Sequence, residues 1–574
     1  MKKLLLVFAV LVLLALAATV IGIFLSGERG PTFGGPTVLV WRVQGTVPEQ
    51  SPASLPFVSG SGPGVSVANL YRAFRAARRD DSVAGVALYI RSTGFGLAKA
   101  QEFRHQLLEL SAAGKFVECY FETVGEGGNG TLGYYLATAC DHIHMAPVGA
   151  VNLMGLYADS YFLRGTLDKL KIDPEFLTVG EYKSAGEQFT RKDHSPRARQ
   201  ALDAVLDGEY AQVVDAIAER RKLEPSAVRA LIDRAPLGAQ EAVDAGLLDS
   251  LIYPDEFRDL VEKRAGGDPR LVPLETWGST WGRGSGFSGR QIAMVFASGT
   301  IVRGAGGTQP WTQETFVGSD QMSRIFRDLA DDSSVAAVVL RIDSPGGSAL
   351  GSDLILRELS LLEKHKPVIV SMSDLAASGG YYIASKATKI VAEPATLTGS
   401  IGVISGRFAT QGFEREILGV THDPLSRGAH ADIWSSPAPL ADEQRAVIQH
   451  QMDQVYQAFV ANVAQGRGMT PEAVDRIGRG RVWLGSDALR LGLVDDLGGL
   501  DRALDLAKKE AGLAAGQPVR LTYYPAPQSW LELFHQSRRP LLPASLLRLA
   551  KALAPPVRGA LELSPEARSL ASPF

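Results

Sequence analysis

The pattern of apolar and polar positions opens with an uncharged run, Leu4 to Leu25, behind Met1-Lys2-Lys3. A run of that length can cross a bilayer, and the two lysines ahead of it favour a cytoplasmic N-terminus. The rival reading is a signal peptide cleaved near Ala15-Leu16-Ala17. The apolar character continues through Val20 to Leu25, which favours a retained anchor. Either way, the chain beyond Leu25 is predicted to be exported. Ser26 to Pro36, rich in Gly and Pro, follows as a stalk.

Beyond the stalk, short β-branched runs alternate with amphipathic stretches, which predicts an α/β fold with a largely parallel sheet. The pattern occurs twice. Val38 to Val43 and Gly45-Thr46-Val47 return as Ile292 to Ala297 and Gly299-Thr300-Ile301. Asp81 to Leu88 returns as Asp332 to Val339, and Lys115-Phe116-Val117 as Lys366-Pro367-Val368. Gly133-Tyr134-Tyr135-Leu136-Ala137 returns as Gly380-Tyr381-Tyr382-Ile383-Ala384. Each match is short, but their common order and slowly drifting offset predict a tandem duplication of a whole domain. Ala201 to Arg221 and Asp442 to Gln465 read as long helices, packed on the sheet or on a neighbouring subunit. Gly266 to Gly289 is the natural link. The predicted division is 1–26 anchor, 27–285 first domain, 286–520 second domain and 521–574 tail. The Pro-rich tail carries two short apolar-basic pieces, Trp530–Phe534 and Leu546–Leu553; Leu546 to Lys551 reads as a helix packed on its own domain, with a membrane-surface helix as the alternative.

Composition changes this picture little. The 574 residues are 45% hydrophobic and 21% charged, with a net charge of −3. That balance gives no reason to expect a nucleic-acid partner. Cys119 and Cys140 fit neither a disulfide framework nor a metal site and read as small buried residues; a bridge between them is open in an oxidising compartment.

Candidate chemistry concentrates in Val368–Ala387. Val368 to Ser371 reads as a buried strand, Asp374 to Ala377 as a tight loop, and Tyr381 to about Ala387 as a helix. Ser378 therefore stands where a strand gives way to a helix, at the positive end of the helix dipole. From there the Gly379 amide can face an oxyanion formed by attack of Ser378 on a carbonyl. A plain N-cap serine satisfies the same local pattern. The aligned position in the first copy is Thr131, which lacks the Ser-Gly-Gly turn.

A serine hydroxyl needs a base. Among the nine histidines, His422 and His430 follow the serine at workable distances, but none sits in a supporting motif. His142 and His144 read as one exposed and one buried residue of a strand. The other candidate is Lys183, in Gly180-Glu181-Tyr182-Lys183-Ser184. The corresponding stretch of the second copy, Ser426 to His430, has an arginine in place of a lysine, and arginine cannot act as a base. One copy keeps the lysine and the other keeps the serine, which suggests a site completed between them. Only about one lysine in a few thousand is neutral at pH 7, so Lys183 must be shielded from water, with Glu181 and Glu187 turned away. Gly346 and Gly347, in a strand-ending loop, can add an oxyanion donor and pair with a substrate backbone. Ser400 can orient a neutral lysine.

Together, Leu375 to Tyr382, Ser344-Pro345-Gly346-Gly347, Gly399-Ser400-Ile401-Gly402, Tyr182-Lys183-Ser184-Ala185 and Gly480-Arg481-Val482-Trp483 resemble the signal peptide peptidase A family, in its long duplicated bacterial form. The resemblance covers the chain from the anchor to about residue 520. It implies two tandem Clp-protease/crotonase-like domains behind a transmembrane helix. It also implies a serine protease with a Ser/Lys dyad that needs no cofactor or metal, forms a homotetramer and degrades cleaved signal peptides and other apolar peptides. The implied location is the bacterial inner membrane, single-pass, with the catalytic part on the periplasmic side. By the same resemblance Ser378 is the nucleophile, Lys183 the base, Ser400 its helper, and Gly379 with Gly346 or Gly347 the oxyanion donors. Three alternatives keep the fold: a catalytically inactive membrane scaffold, a crotonase-type acyl-CoA enzyme, which an exported location disfavours, and a protease whose substrates are folded membrane proteins.

Overall fold

The computed structural model describes residues 36–51, 65–280, 290–309 and 314–526. The apolar run at the N-terminus, part of the link (281–289) and the tail beyond 526 lie outside the described residues, and so do the readings placed on them. Among the described residues, no helix is long and apolar enough to cross a membrane.

The first copy builds a parallel sheet from β1 (Thr37–Val43), β2 (Val83–Ile90), β3 (Phe116–Phe121), β4 (His142–Met145), β6 (Ser250–Leu251) and β7 (Arg270–Pro273) in the order β6-β4-β3-β2-β1-β7. Helices α1 (Val67–Arg79), α2 (Leu97–Ala112) and α3 (Thr131–Ala137) connect its strands, and α4 (Pro196–Arg221) follows. Strand β5 (Asp173–Val179) stands outside this sheet. The second copy repeats the arrangement with β8 (Gln291–Ser298), β9 (Val335–Ser344), β10 (Val368–Ala377), β11 (Lys389–Ala392), β15 (Asp496–Leu497) and β16 (Arg520–Tyr524), in the order β15-β11-β10-β9-β8-β16. Its sheet also carries β12 (Leu397–Gly399), parallel to β10, and β14 (Val482–Leu484), antiparallel to β12. The duplication seen in the sequence is thus a duplication of strand order. The link is less of a spacer than its composition suggests, because Arg270–Pro273 pairs with β1. The second sheet runs to Tyr524.

Local chemistry explains the elements. The run from Val335 to Leu340 is apolar on both faces, as a strand covered by helices on both sides must be, and nine of the ten residues of β9 are buried. In α1, Val67, Leu70, Tyr71 and Phe74 fall on one face and are buried, Ser66 caps the first turn, and Arg78 and Arg79 meet the negative end of the helix dipole. Fully burying a side chain such as Phe74 or Leu70 contributes on the order of 2 kcal/mol. One apolar cluster holds Trp41, Phe74 and Phe103 of the first copy together with Met294, Phe296 and Ile369 of the second. Helix α8 (Leu500–Glu510) adds Leu500 and Leu504 to the same cluster. The two copies therefore share a core.

Two features correct the sequence reading. Residues 374–377 are not a loop: β10 continues to Ala377, because Leu375–Ala377 pair with β12 and Ala376 pairs with Ser344 of β9. The helix after the serine is α6 (Gly379–Ala384), earlier and shorter than the apolar run suggests. Cys119 on β3 and Cys140 after α3 are buried, as read, and are joined by a disulfide with Cα atoms 5.9 Å apart.

Candidate active site

The lysine and the serine come from different copies and meet through a shared two-stranded ribbon. Strand β5 leaves the first copy and pairs antiparallel with β13 (Val403–Ala409), from Val179 opposite Val403 to Asp173 opposite Ala409. Lys183 follows β5 by four residues and Ser400 precedes β13 by three, so the pairing draws the two loops together. The ribbon is backed by α7 (Asp442–Arg467), whose Ile448 and Met452 cluster with Leu177, Val179 and Val403.

Ser378 occupies the turn between β10 and α6, at φ 54° and ψ −118°. A non-glycine residue held at positive φ stores strain that the surroundings must offset. Here the Ser378 N–H donates to the Gly399 carbonyl at 2.9 Å, and its own carbonyl accepts from Tyr382 N–H at 2.8 Å. Both ends of the residue are held while the side chain stays partly open. The strand register slips between Ile342 and Ser344, and the chain then turns through Gly346 (φ 100°) and Gly347 (φ 148°). A Cβ on Gly346 would lie 2.5 Å from the Gly379 amide nitrogen, so only glycine admits this approach. The Gly346 N–H donates to the Ser344 hydroxyl at 3.1 Å. The N–H groups of Gly347 and Gly379 have no partner among the described residues; Gly379 follows Ser378 directly, and the Gly347 nitrogen lies 3.2 Å from where a Cβ on Gly379 would sit.

Lys183 is 9% exposed. Its Nζ lies 3.0 Å from Ser378 Oγ, 2.9 Å from Ser400 Oγ and 3.0 Å from the Ser400 carbonyl. These three contacts match a neutral amine, whose two N–H bonds can go to Ser400 and whose lone pair can take the Ser378 proton. Among the described residues Lys183 makes no ion pair. Glu181 turns to Arg197 at 3.2 Å, and Glu187 accepts the Ser195 N–H at 2.9 Å. With no carboxylate to hold the charge, burial pushes the ammonium down from 10.5 to about 8. At that value roughly one lysine in ten is neutral at pH 7.

Among the described residues no histidine bonds to Ser378 or Lys183. His422 pairs with Glu414, His430 is exposed, and neither bonds to Ser378. His144 is buried and His142 exposed, as their strand pattern predicts. Residues 426–430, the counterpart of the lysine stretch, are fully at the surface. In the first copy Thr131 occupies the serine's place, buried at the start of α3, with its N–H held by Asn129 at 3.0 Å.

Residues 112–267 and 360–514, one stretch in each copy, match Peptidase family S49. The chain belongs to this family. It is a serine protease. It is 34% identical over 508 residues to the chloroplastic serine protease SPPA of Arabidopsis thaliana, covering 86% of this chain and 72% of that one. It is 33% identical over 507 residues to Protease 4 of Salmonella typhi, covering 85% of this chain and 79% of that one. A shorter match, 34% over 229 residues, joins 40% of this chain to 66% of an Enterococcus faecium protein named as a signal peptide peptidase SppA.

Two further groups around the site were missed by sequence reasoning. Gly478 to Trp483, of which only Gly480 to Trp483 was quoted above as part of a resemblance, packs against both the lysine loop and the Ser400 loop. Behind the strand ends, Arg341 bonds to Glu49 at 3.0 Å and to Glu102 at 2.5 Å, and Lys99 bonds to Asp343 at 2.7 Å. These charges lie far apart in sequence, so no local spacing announces them.

Proposed function

We propose that this S49 protease is a membrane-anchored endopeptidase that uses a Ser378/Lys183 dyad to degrade remnant signal peptides and other unstructured apolar peptides on the exported side of the membrane. The observation that carries the reading is a buried lysine without a carboxylate partner, 3.0 Å from a serine hydroxyl. Neutral Lys183 takes the proton as Ser378 Oγ attacks the peptide carbonyl. The N–H groups of Gly347 and Gly379 hold the oxyanion of the tetrahedral intermediate. Gly346 serves the backbone turn instead, since its own N–H is engaged. Lys183 then protonates the leaving amine, water hydrolyses the acyl-enzyme, and Ser400 keeps the amine aimed through both its hydroxyl and its carbonyl.

The division into domains 27–285 and 286–520, each of the Clp-protease/crotonase-like kind, is part of the same proposal and agrees with the repeated strand order. The anchor at 1–26, the inner-membrane location with a periplasmic catalytic part, and a homotetramer complete it. The uncharged run at the N-terminus supports the anchor, and the buried Cys119–Cys140 disulfide supports an oxidising compartment. The name of the Enterococcus relative supports the substrate class.

The test is cleavage of an unstructured apolar peptide by the full chain, compared with Ser378→Ala and Lys183→Ala. The reading predicts folded, inactive variants. An active Lys183→Ala enzyme would move the base elsewhere, and a wild type inactive on all such peptides would leave the scaffold alternative.

A further inference from the structure

The segment Gly478–Trp483 runs between the two loops that supply Lys183 and Ser400, and bonds to each. Its Arg479 carbonyl accepts the Tyr182 N–H at 2.9 Å. Its Gly480 N–H donates to the Ile401 carbonyl at 2.6 Å, and its Arg481 carbonyl accepts the Ser400 N–H at 2.8 Å. The fit is close. A Cβ on Gly480 would meet Lys183 N at 2.5 Å and Lys183 Cβ at 2.7 Å, and one on Gly180 would meet the Arg479 carbonyl carbon at 2.4 Å.

The side chain of Arg481 closes the same junction from outside. Its guanidinium stacks over Trp483, 4.1 Å from the ring, and over Tyr182, 5.2 Å from the ring. Tyr182 is the immediate neighbour of Lys183. A guanidinium laid flat on aromatic faces is attracted by their π-electrons and covers them from water. Arg481 forms no ion pair among the described residues, and its Nε is buried without a hydrogen-bond partner. Among the described residues its guanidinium makes no hydrogen bond, so the stack is the polar side-chain contact it has. The neighbouring charges are already committed elsewhere: Arg479 to Asp475 at 2.9 Å and Glu181 at 3.7 Å, and Glu181 also to Arg197.

We infer that Arg481 is a positioning residue, whose stack on Tyr182 and Trp483 locks the lysine loop of the first copy onto the Ser400 loop of the second and keeps water from Lys183. This rests on the dyad reading above. The stack acts on the base only through the loop, so its loss should alter both the placement and the solvation of Nζ. Loosening the loop misplaces the amine and lowers kcat. Admitting water lets the ammonium form more readily, which pushes the pH needed for activity upward.

The experiment compares full-length wild type, Arg481→Ala and Arg481→Lys on an unstructured apolar peptide, recording kcat and KM from pH 6 to 10 together with thermal unfolding. We expect Arg481→Ala to lose kcat by roughly tenfold to a hundredfold, with little change in KM. Its rising activity limb should move upward by about one pH unit. Arg481→Lys, which keeps the charge but not the planar stack, should fall between the two. It also carries the test should Arg481→Ala not fold. An unchanged limb midpoint in both variants overturns the inference, whatever their stability. A wild type with no activity, or with no rising limb in this range, overturns the dyad reading first and this inference with it.

Discussion

Two buried lysines in this molecule have opposite fates. Lys99 is 7% exposed and Lys183 is 9% exposed, so burial alone does not separate them. Lys99 sits among carboxylates: Asp343 at 2.7 Å, Glu49 at 3.3 Å and Asp374 at 3.8 Å. Burial works against its charge, but those carboxylates outweigh it and hold the ammonium well above the ordinary lysine range. Lys183 meets two hydroxyls and a carbonyl, which solvate an amine without stabilising a full charge, and it falls to about 8. Lys99 ties the first copy to the strand ends of the second. Asp374 also accepts the N–H groups of Gly96 and Lys99 at the start of α2. One lysine joins the halves, and the other can act as a base between them.

The comparison breaks most visibly in activity. Lys183→Ala should lose kcat by roughly a thousandfold or more, because the proton acceptor is gone. Turnover of a peptide substrate checks this. The next effect is on stability, where the two lysines should differ in sign. Lys99→Met leaves Glu49, Asp343 and Asp374 facing one another without their cation and should cost about 3–5 kcal/mol, read as a fall in the denaturation midpoint. Lys183→Met should stabilise. The folded lysine titrates at about 8 and the unfolded one near 10.5. Below pH 8 both states hold the proton, and the folded state bears a desolvation cost of roughly 3 kcal/mol. Between the two values the unfolded chain binds more protons, so wild-type stability rises with pH, and above 10.5 the cost is gone. The gain from Lys183→Met should therefore be largest at pH 7 and vanish toward pH 10.5 in chemical unfolding curves. The smallest effect sharpens the contrast. Ser400→Ala removes one of three contacts to Nζ and should lower kcat by roughly tenfold, with the fold intact by thermal melt.

The duplication and the parallel α/β class were legible, because apolar runs and turn residues recur in order and sheet-forming strands carry their own periodicity. Ser378 was legible as a residue between a strand and a helix, and Lys183 through the loss of its counterpart at 426–430. The length of β10 was not. Asp374-Leu375-Ala376-Ala377 has weak strand propensity, and its extended form comes from β9 and β12, which sequence spacing does not place alongside it. The choice between Gly346 and Gly347 also needed the fold. Both sit at positive φ, and the Ser344 hydroxyl that accepts the Gly346 N–H is the contact on which the proposal of Gly347 rests. The same holds for the Lys99 group, whose partners lie tens to hundreds of residues away, and for the contact of Arg481 with Tyr182 in the other copy.

The central claim is that Lys183, without an ion pair among the described residues and losing its proton near pH 8, is the base for Ser378. It is tested most directly by the rate at which a serine-directed phosphonate labels Ser378 across pH, in wild type and in Lys183→Ala. The account predicts a rate that rises through a single ionisation near pH 8 and collapses in the variant. A variant labelled as fast as wild type, or a wild-type midpoint in the histidine range near about 6.5, would contradict it.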